Sequence, residues 1–252
     1  MSLAVVILNH LPVKKLEPTL KSASFADEIL VIHDSLSPYK PPRSDQKTKV
    51  VSRPLNKGFA AQRNLALKKV SSDWVLFLDS DEVVSSRLKK EILQAVNSPN
   101  YQGYLIPRQD VILGQELKYG ETGQIKLLRL ARRGQGEFSR SVHETWKIKG
   151  RVGEIKTPLL HLKGNLTSNF IQRIIKYAPL DIKDLEKENK TYSPLRLLIF
   201  PIAKFIQNYI VRRGFLDGTL GIFHAYLMSI QSLSVRVFQW QALHLRSKAV
   251  KL

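Results

Sequence analysis

Ser72-Asp73-Trp74-Val75-Leu76-Phe77-Leu78-Asp79-Ser80-Asp81-Glu82 is the stretch on which the reading of this chain turns. An apolar run, Trp74 to Leu78, breaks into the carboxylates Asp79, Asp81 and Glu82. Its short length, aromatic content and preceding Ser-Asp punctuation favour a central strand over a helix. Carboxylates delivered at the C-terminal end of a central strand lie where open α/β sheets bind ligands. The chain turns at this point, so Asp79 and Asp81 can together grip one hard divalent cation. Mg²⁺ or Mn²⁺, held by one or two carboxylates and completed by substrate phosphates, is the expected use. The other reading is a strand followed by an acidic helix start, with Asp81 as cap and Glu82 in the first turn of a helix through Ala95.

Outward from this strand the chain alternates. Leu3 to Leu8 is an all-apolar strand, the pattern of a parallel strand covered on both faces. Pro12 to Ser24 carries Leu16, Leu20 and Ala23 at helical spacing. Glu28 to His33 reads as a second strand closed by Asp34, and Ser35 to Lys47 as loop. Val50-Val51 makes a short third strand. Gly58 then introduces a helix from Phe59 to Val70, and Ser86 to Val96 forms another after the Trp74 strand. Alternating strands and helices predict an α/β fold, a doubly wound and mostly parallel sheet flanked by helices. After Asn100 the pattern loosens: Gly103 to Pro107, Ile125 to Leu130 and Leu159 to Leu162 read as strands. From Ser168 the chain turns helical, over Ser168 to Lys190, Pro194 to Arg213, and Asp217 to about Arg246. The expected organisation is a catalytic domain over 1–165 and a helical extension over 166–252.

Composition limits the partners. The 252 residues carry a net charge of +19, which demands an anionic partner: nucleic acid, an anionic membrane face or a phosphorylated substrate. With no cysteine, disulfides and thiolate metal sites are impossible, which suits a reducing compartment. The N-terminal run Met1 to Leu8 lacks a charged n-region and a following cleavage site, and reads as a strand and not as a signal peptide. Against nucleic acid stands the lack of any recognition signature or interleaving of aromatic with basic residues.

Three ordered blocks resemble the family 2 glycosyltransferases of GT-A (Rossmann-like) fold. They are Asn56-Lys57-Gly58-Phe59-Ala60-Ala61-Gln62-Arg63-Asn64, then Asp73 to Glu82, then Ser141-Val142-His143-Glu144. Pro158-Leu159-Leu160-His161 and Gly214-Phe215-Leu216-Asp217-Gly218 extend the likeness to the bacterial branch that adds a hexose to the lipopolysaccharide inner core. The resemblance implies a nucleotide-sugar donor, here a UDP-sugar, and a lipid-linked saccharide acceptor. It implies that the loop after the first strand, carrying Asn9, and the turn at Asp34 hold nucleobase and ribose, and that Arg63 contacts the nucleotide. Both loops depart from the family's wording: Leu8-Asn9-His10-Leu11 stands for Thr-Lys-Asn-Glu, and the turn at Asp34 lacks glycine. Tyr119-Gly120-Glu121-Thr122-Gly123 stands where an aromatic stretch is usual.

The chemistry of transfer assigns roles. A departing diphosphate gains charge that a metal neutralises. Asp81 is expected as the direct ligand, Asp79 as its partner on metal or ribose, and His161 as a third ligand suited to manganese. A packed residue ending a strand is the plainer reading of His161. An attacking hydroxyl must lose a proton, so a carboxylate within reach is required. Glu144 is the choice, with Glu121 and Glu137 behind it; a structural His143–Glu144 couple is the alternative. Arg129, Arg132 and Arg133 lie where diphosphate or an anionic acceptor could be held.

Leu195 to Val211 is apolar yet interrupted by Arg196, Lys204, Gln207 and Asn208, with Pro201 expected to kink it. It is too short and too polar to span a bilayer. With Arg212, Arg213, Arg236, Arg246, Lys248 and Lys251 it suits an interfacial helix over anionic lipid. A helical hairpin packed on the core or on a second copy of the chain is the other reading. The sequence thus predicts a metal-dependent, inverting hexosyltransferase, peripheral on the cytoplasmic face of an inner membrane. A non-catalytic GT-A-like sugar-nucleotide-binding protein is the alternative, and after it a basic nucleic-acid-binding protein.

Overall fold

The computed structural model describes residues 1–9, 13–35, 46–54, 58–139, 144–164 and 192–249, with a few positions between 168 and 190. The chain divides into two compact units, one of residues 1–109 with 125–162, the other of residues 110–124 with 163–252.

In the first unit, β1 (Leu3–Asn9), β2 (Glu28–His33), β3 (Thr48–Ser52) and β4 (Trp74–Asp79) lie side by side in parallel, in the order β3-β2-β1-β4. The sheet continues through β8 (Lys126–Arg132), β6 (Gly103–Ile112), β12 (Leu159–Lys163) and β5 (Glu82–Val83). β8 runs antiparallel to both β4 and β6, and β5 antiparallel to β12, while β11 (Val152–Glu154) joins β6 in parallel. The sheet is therefore mixed, with a parallel half built by helical crossovers.

Strand alternation sorts the core. Leu3, Val5 and Ile7 of β1, with Trp74, Leu76 and Leu78 of β4, pack against Leu16 of α1 (Val13–Ser22) and against Leu88, Ile92 and Val96 of α3 (Ser86–Val96). Ala4, Val6 and Leu8, with Val75 and Phe77, pack on the other face against Ala60 and Ala66 of α2 (Gly58–Lys69). Burial on both faces explains why β1 and β4 read as unbroken apolar runs. Phe138 and Trp146 complete the second cluster, from the paired strands β9 (Gly136–Ser139) and β10 (Thr145–Ile148). These two strands were not legible in the sequence: each has four residues, and their positions alternate only through Phe138 and Trp146.

The stop signals differ from expectation. Asp81 does not cap α3; the Ser85 side chain does, accepting from the Leu88 amide at 3.2 Å. Glu82 belongs to β5 and not to a helix. Several strands outrun their predicted ends, β6 reaching Ile112 and β8 reaching Arg132. The helix expected over 168–190 lies largely outside the described residues, as do Asn56, Lys57 and His143.

In the second unit, α4 (Pro194–Ile206) passes through Pro201 without ending, then opens into a π turn, Gln207–Val211. A 3₁₀ turn (Gly214–Asp217) leads into the long α5 (Gly218–Ala249). The segment 110–124, which the sequence assigned to the catalytic part, packs with these helices. Asp217 binds it, its carboxylate accepting from the amides of Lys118 at 3.1 Å and Tyr119 at 2.9 Å. Asn208 Oδ1 accepts from the Glu121 amide at 2.8 Å, and the Gly120 amide donates to Arg212 O at 3.0 Å. Gly120 stands at φ +72°, and a side chain there would point at Asn208 and His224. Among the described residues, no helix is long and apolar enough to cross a membrane.

Candidate functional site

β1, β2 and β4 end together, and the chain places polar groups at each end. Asn9 closes β1, buried, with Nδ2 3.1 Å from His33 Nδ1 at the end of β2. The next residue, Asp34, is exposed, and its amide donates to Asn9 O at 2.8 Å. Asp79 closes β4. The two nucleotide-contact positions expected from the early loops therefore sit on neighbouring strand ends.

Asp79 is held from two sides. Arg63 Nη2 of α2 donates to Oδ1 at 2.9 Å, and Arg129 Nη2 of β8 donates to Oδ2 at 2.7 Å. Burial opposes its charge, but Arg129 and Arg63 hold the Asp79 carboxyl far below the usual carboxylate range. Arg129 also donates to Glu82 Oε1 at 3.0 Å, and Glu82 Oε2 accepts from the Asp79 amide at 2.8 Å. Burial pushes Glu82 up from its ordinary value, and the Asp79 charge adds to that. Glu82 is thus a buried strut behind the turn, fixing both Asp79 and Arg129. The sequence had offered it only as a helix-start residue.

Arg63 is a second bridge. Its Nε donates to Glu144 Oε1 at 2.9 Å, so one guanidinium ties Glu144 to Asp79. Its carbon lies 5.3 Å from the Phe77 ring centroid and 5.4 Å from that of Phe138. Phe77 in turn meets Phe138 and Trp146 edge-on at 4.9 and 5.2 Å. This aromatic seat explains how a guanidinium only 3% exposed is tolerated. Two donors, Arg63 Nη1 and Arg129 Nε, are buried without a hydrogen-bond partner among the described residues. Such donors invite an oxygen-rich ligand or water.

Asp81 and His161 meet on another side of the turn. His161 Nε2 lies 3.2 Å from Asp81 Oδ2, and the Leu162 amide donates to Asp81 O at 2.8 Å. The pairing of β12 with β5, His161 opposite Glu82, carries the histidine there. The structure thus brings Asp81 to His161, and Asp79 to the arginines. Among the described residues, no group of three or more His, Asp or Glu side chains forms a ready-made cation cage.

Other expected residues lie elsewhere. Arg132 and Arg133 stand at the opposite end of β4: Arg132 pairs with Trp74 and covers its ring at 5.1 Å, and Arg133 Nε donates to Ser72 O at 3.0 Å. They hold the start of the strand and not its C-terminal end, where Asp79 stands. A strand of six residues, at about 3.3 Å each, separates the two ends. Glu137 is exposed on β9. Glu121 belongs to the second unit and pairs with Lys204 at 2.7 Å; burial opposes its charge, yet Lys204 keeps its carboxyl below the ordinary range.

The sequence description of Glycosyl transferase family 2 matches residues 15–153, more than half of the chain. The chain belongs to glycosyl transferase family 2. A relative in Rhizobium meliloti (strain 1021), the lipopolysaccharide core biosynthesis glycosyltransferase LpsC, is 27% identical over 203 residues, covering 75% of this chain and 73% of its own. An uncharacterized glycosyltransferase of Rickettsia conorii is 24% identical over 242 residues, covering 90% of this chain and 85% of its own. Among solved structures, the Pyrobaculum calidifontis mannosyltransferase PcManGT, determined with GDP-Man and Mn²⁺, matches 94% of this chain and 86% of its own. Its TM-score is 0.51 at 11% identity, a likeness of fold. The mixed α/β sheet with flanking helices is the GT-A type.

This family 2 chain is a glycosyltransferase, and the matched range takes in Arg63, Asp79, Asp81, Arg129 and Glu144. His161 lies beyond it. Sequence reasoning missed that Asn208 and Asp217 bind the 110–124 segment to the helices. One signal was available: Asp217 is the only acidic residue after Glu188.

Proposed function

We propose that this glycosyltransferase moves a hexose from a nucleotide-sugar, a UDP-sugar first among the donors, to a glycolipid or lipopolysaccharide-core acceptor, with inversion and with a divalent metal. The observation that carries the reading is the Arg63 guanidinium joining Asp79, at the end of the central strand, to Glu144. One rigid group thereby fixes the donor carboxylate relative to the candidate base.

Asn9, Asp34 and Asp79 face the nucleoside, with Arg63 Nη1 and Arg129 Nε as donors toward its oxygens. Glu144 Oε1 is held by Arg63, which leaves Oε2 to take the proton of the acceptor hydroxyl. The hydroxyl oxygen bonds to the anomeric carbon from one face. The carbon–oxygen bond to the diphosphate breaks on the other face, and the electron pair leaves with the nucleotide. A single displacement inverts the anomeric centre.

The residues present fit a hard divalent cation. Asp81 and His161, side chains 18% and 7% exposed, offer a carboxylate and an imidazole 3.2 Å apart. Asp79 keeps lone pairs beyond its arginine bonds. Such a partial set suits Mn²⁺ or Mg²⁺ whose remaining positions are filled by water and diphosphate. Bound there, the ion supplies Lewis-acid neutralisation of the departing diphosphate.

The helical unit supports a peripheral membrane role on the cytoplasmic face. Leu195, Leu198, Ile199 and Ile202 form one exposed stripe of α4. Phe223, Tyr226, Ile230, Leu233, Val237 and Trp240, at alternating spacings of three and four, form an exposed stripe of α5. The charged residues within α4 and α5 themselves are basic, as anionic lipid requires. A self-pairing α5 seam would want acidic partners for these cations, and α5 contains none.

A panel of UDP- and GDP-hexoses incubated with the full chain and Mn²⁺ tests the reading. Hydrolysis or transfer from a UDP-hexose, abolished by EDTA, is expected. Failure of every nucleotide-sugar to bind or turn over overturns it.

A further inference from the structure

No step of hexose transfer calls on Gly214-Phe215-Leu216-Asp217-Gly218, yet this turn fixes one short segment of the second unit. The Asp217 carboxylate holds the amides of Lys118 and Tyr119, and Asn208 Oδ1 holds that of Glu121. Asn208 is buried, and its Nδ2 donates to Lys204 O at 2.9 Å. Gly214 permits the close approach: a side chain there would stand 2.6 Å from Asn208 O. The effect is to set Glu121 beside α4, where its Oε2 lies 2.7 Å from Lys204 Nζ. Three bonds to backbone amides thus present one carboxylate.

That carboxylate lines a cleft of about 620 Å³ between α4 and α5, a size that suits a small molecule. Lys204 lines it too, and so do Gln207, at the start of the π turn, and Gln231 of α5. Single π turns within helices recur at functional sites. The side-chain amides of both glutamines bond to no protein group among the described residues. The Glu121 and Lys204 side chains stay 34% and 29% exposed, so neither is sealed off by the other. Phe200, Met228 and Val235 supply the apolar part of the wall, with the Arg236 guanidinium 4.9 Å from the Phe200 ring centroid.

This mixture selects the ligand. An acyl chain would bury a carboxylate, an ammonium and two amides without replacing their hydrogen bonds to water, which is costly. A phosphate would meet the Glu121 carboxylate, an acceptor-only group of its own sign. A saccharide hydroxyl both donates and accepts, so it suits Glu121, Lys204 and the amides together, while the C–H face of the ring covers Met228 and Val235. We propose that the α4–α5 cleft binds a neutral saccharide, a hexose unit of the lipid-linked acceptor, with Glu121, Lys204, Gln207 and Gln231 as its hydroxyl partners. This goes beyond the transfer reading and rests on it for the source of the sugar. The 118–121 segment is fixed before the ligand arrives, so little ordering is lost on binding.

The test titrates the full chain with methyl gluco-, galacto- and mannopyranosides and their disaccharides, followed by NMR. Saturable binding of at least one of them is expected, undiminished by saturating UDP. Gln231→Leu and Gln207→Leu should each weaken it roughly tenfold or more. Gln241→Leu, at an exposed position of α5 outside the cleft, should weaken it by under twofold. All three should keep the parent's circular dichroism and UDP affinity. Absence of saturable binding by every glycoside overturns the proposal, as do equal losses from Gln231→Leu and Gln241→Leu. Competition by UDP would assign the sugar to the strand-end residues, and displacement by dihexanoyl phosphatidylcholine would give the cleft to lipid; either overturns it. A chain that turns over a nucleotide-sugar but binds no glycoside loses only the cleft. One that binds a glycoside through Gln231 but turns over no donor keeps the cleft and loses the proposed donor.

Discussion

Arg63 and Glu144 stand 81 positions apart, yet Arg63 Nε donates to Glu144 Oε1 at 2.9 Å with the guanidinium almost wholly buried. The same group holds Asp79 through Nη2. Arg63→Met therefore leaves Glu144 without its partner and half-releases Asp79. Breaking a buried pair in this way costs about 3–5 kcal/mol. Urea denaturation should show a loss of that order, and transfer should fall with it. A variant within about 1 kcal/mol of the parent would mean that the bridge carries little energy.

Asp81→Ala should abolish metal-dependent nucleotide binding and leave the fold intact, because the side chain pairs with His161 at the rim of the turn. His161→Gln should weaken Mn²⁺-dependent UDP binding in the same direction but by less. Titration of UDP with and without Mn²⁺ is the measurement. Undiminished affinity in Asp81→Ala would remove it from the metal site.

Glu144→Gln keeps the shape of the side chain but cannot take a proton. Donor binding should persist while transfer drops on the order of a hundred- to ten-thousand-fold. Single-turnover assays at saturating donor separate the two. A fall of less than tenfold would move the base elsewhere, with Glu137 next, since Glu121 is held by Lys204.

His224 gives a pH signature. It is buried, Nε2 has no hydrogen-bond partner among the described residues, and burial followed by the Lys163 charge depresses its pKa to about 4. Asp110, Glu121 and Asp217 pull the other way. The unfolded chain, near 6.5, binds this proton first, so stability is full above that value and falls as pH drops from 6.5 toward 4. The shift is worth on the order of 3 kcal/mol. In His224→Gln the loss over that window should be visibly smaller; an unchanged pH slope would place the titration elsewhere.

The helical unit should bind phosphatidylglycerol vesicles, weakened but not abolished by salt. Each basic residue near the surface contributes about 1 kcal/mol, screened by ions, while apolar insertion resists salt. Leu198→Glu with Ile202→Glu changes two exposed side chains without disturbing the core. Flotation of that double variant equal to the parent would assign the stripe to another surface.

The apolar run ending in Asp79, the matching run of β1 and the helical periods of α1 to α3 were legible because local pattern is set by burial on one or both faces of each element. They determined the α/β class, the strand-end position of the candidate site residues and the basic, apolar character of the C-terminal helices. Tertiary structure decided the partners. Asp79 and Asp81, adjacent in the sequence argument, face different groups because the chain turns between them: Asp79 goes to Arg63 and Arg129, Asp81 to His161. Arg129 and Arg132 look equivalent in sequence, but β8 runs antiparallel to β4, which carries Arg129 to Asp79 at the C-terminal end of β4 and Arg132 to Trp74 at its start. The attachment of 110–124 to Asp217, Asn208 and α4 was equally invisible. Such pairings depend on register and on long-range closure, which no local spacing encodes.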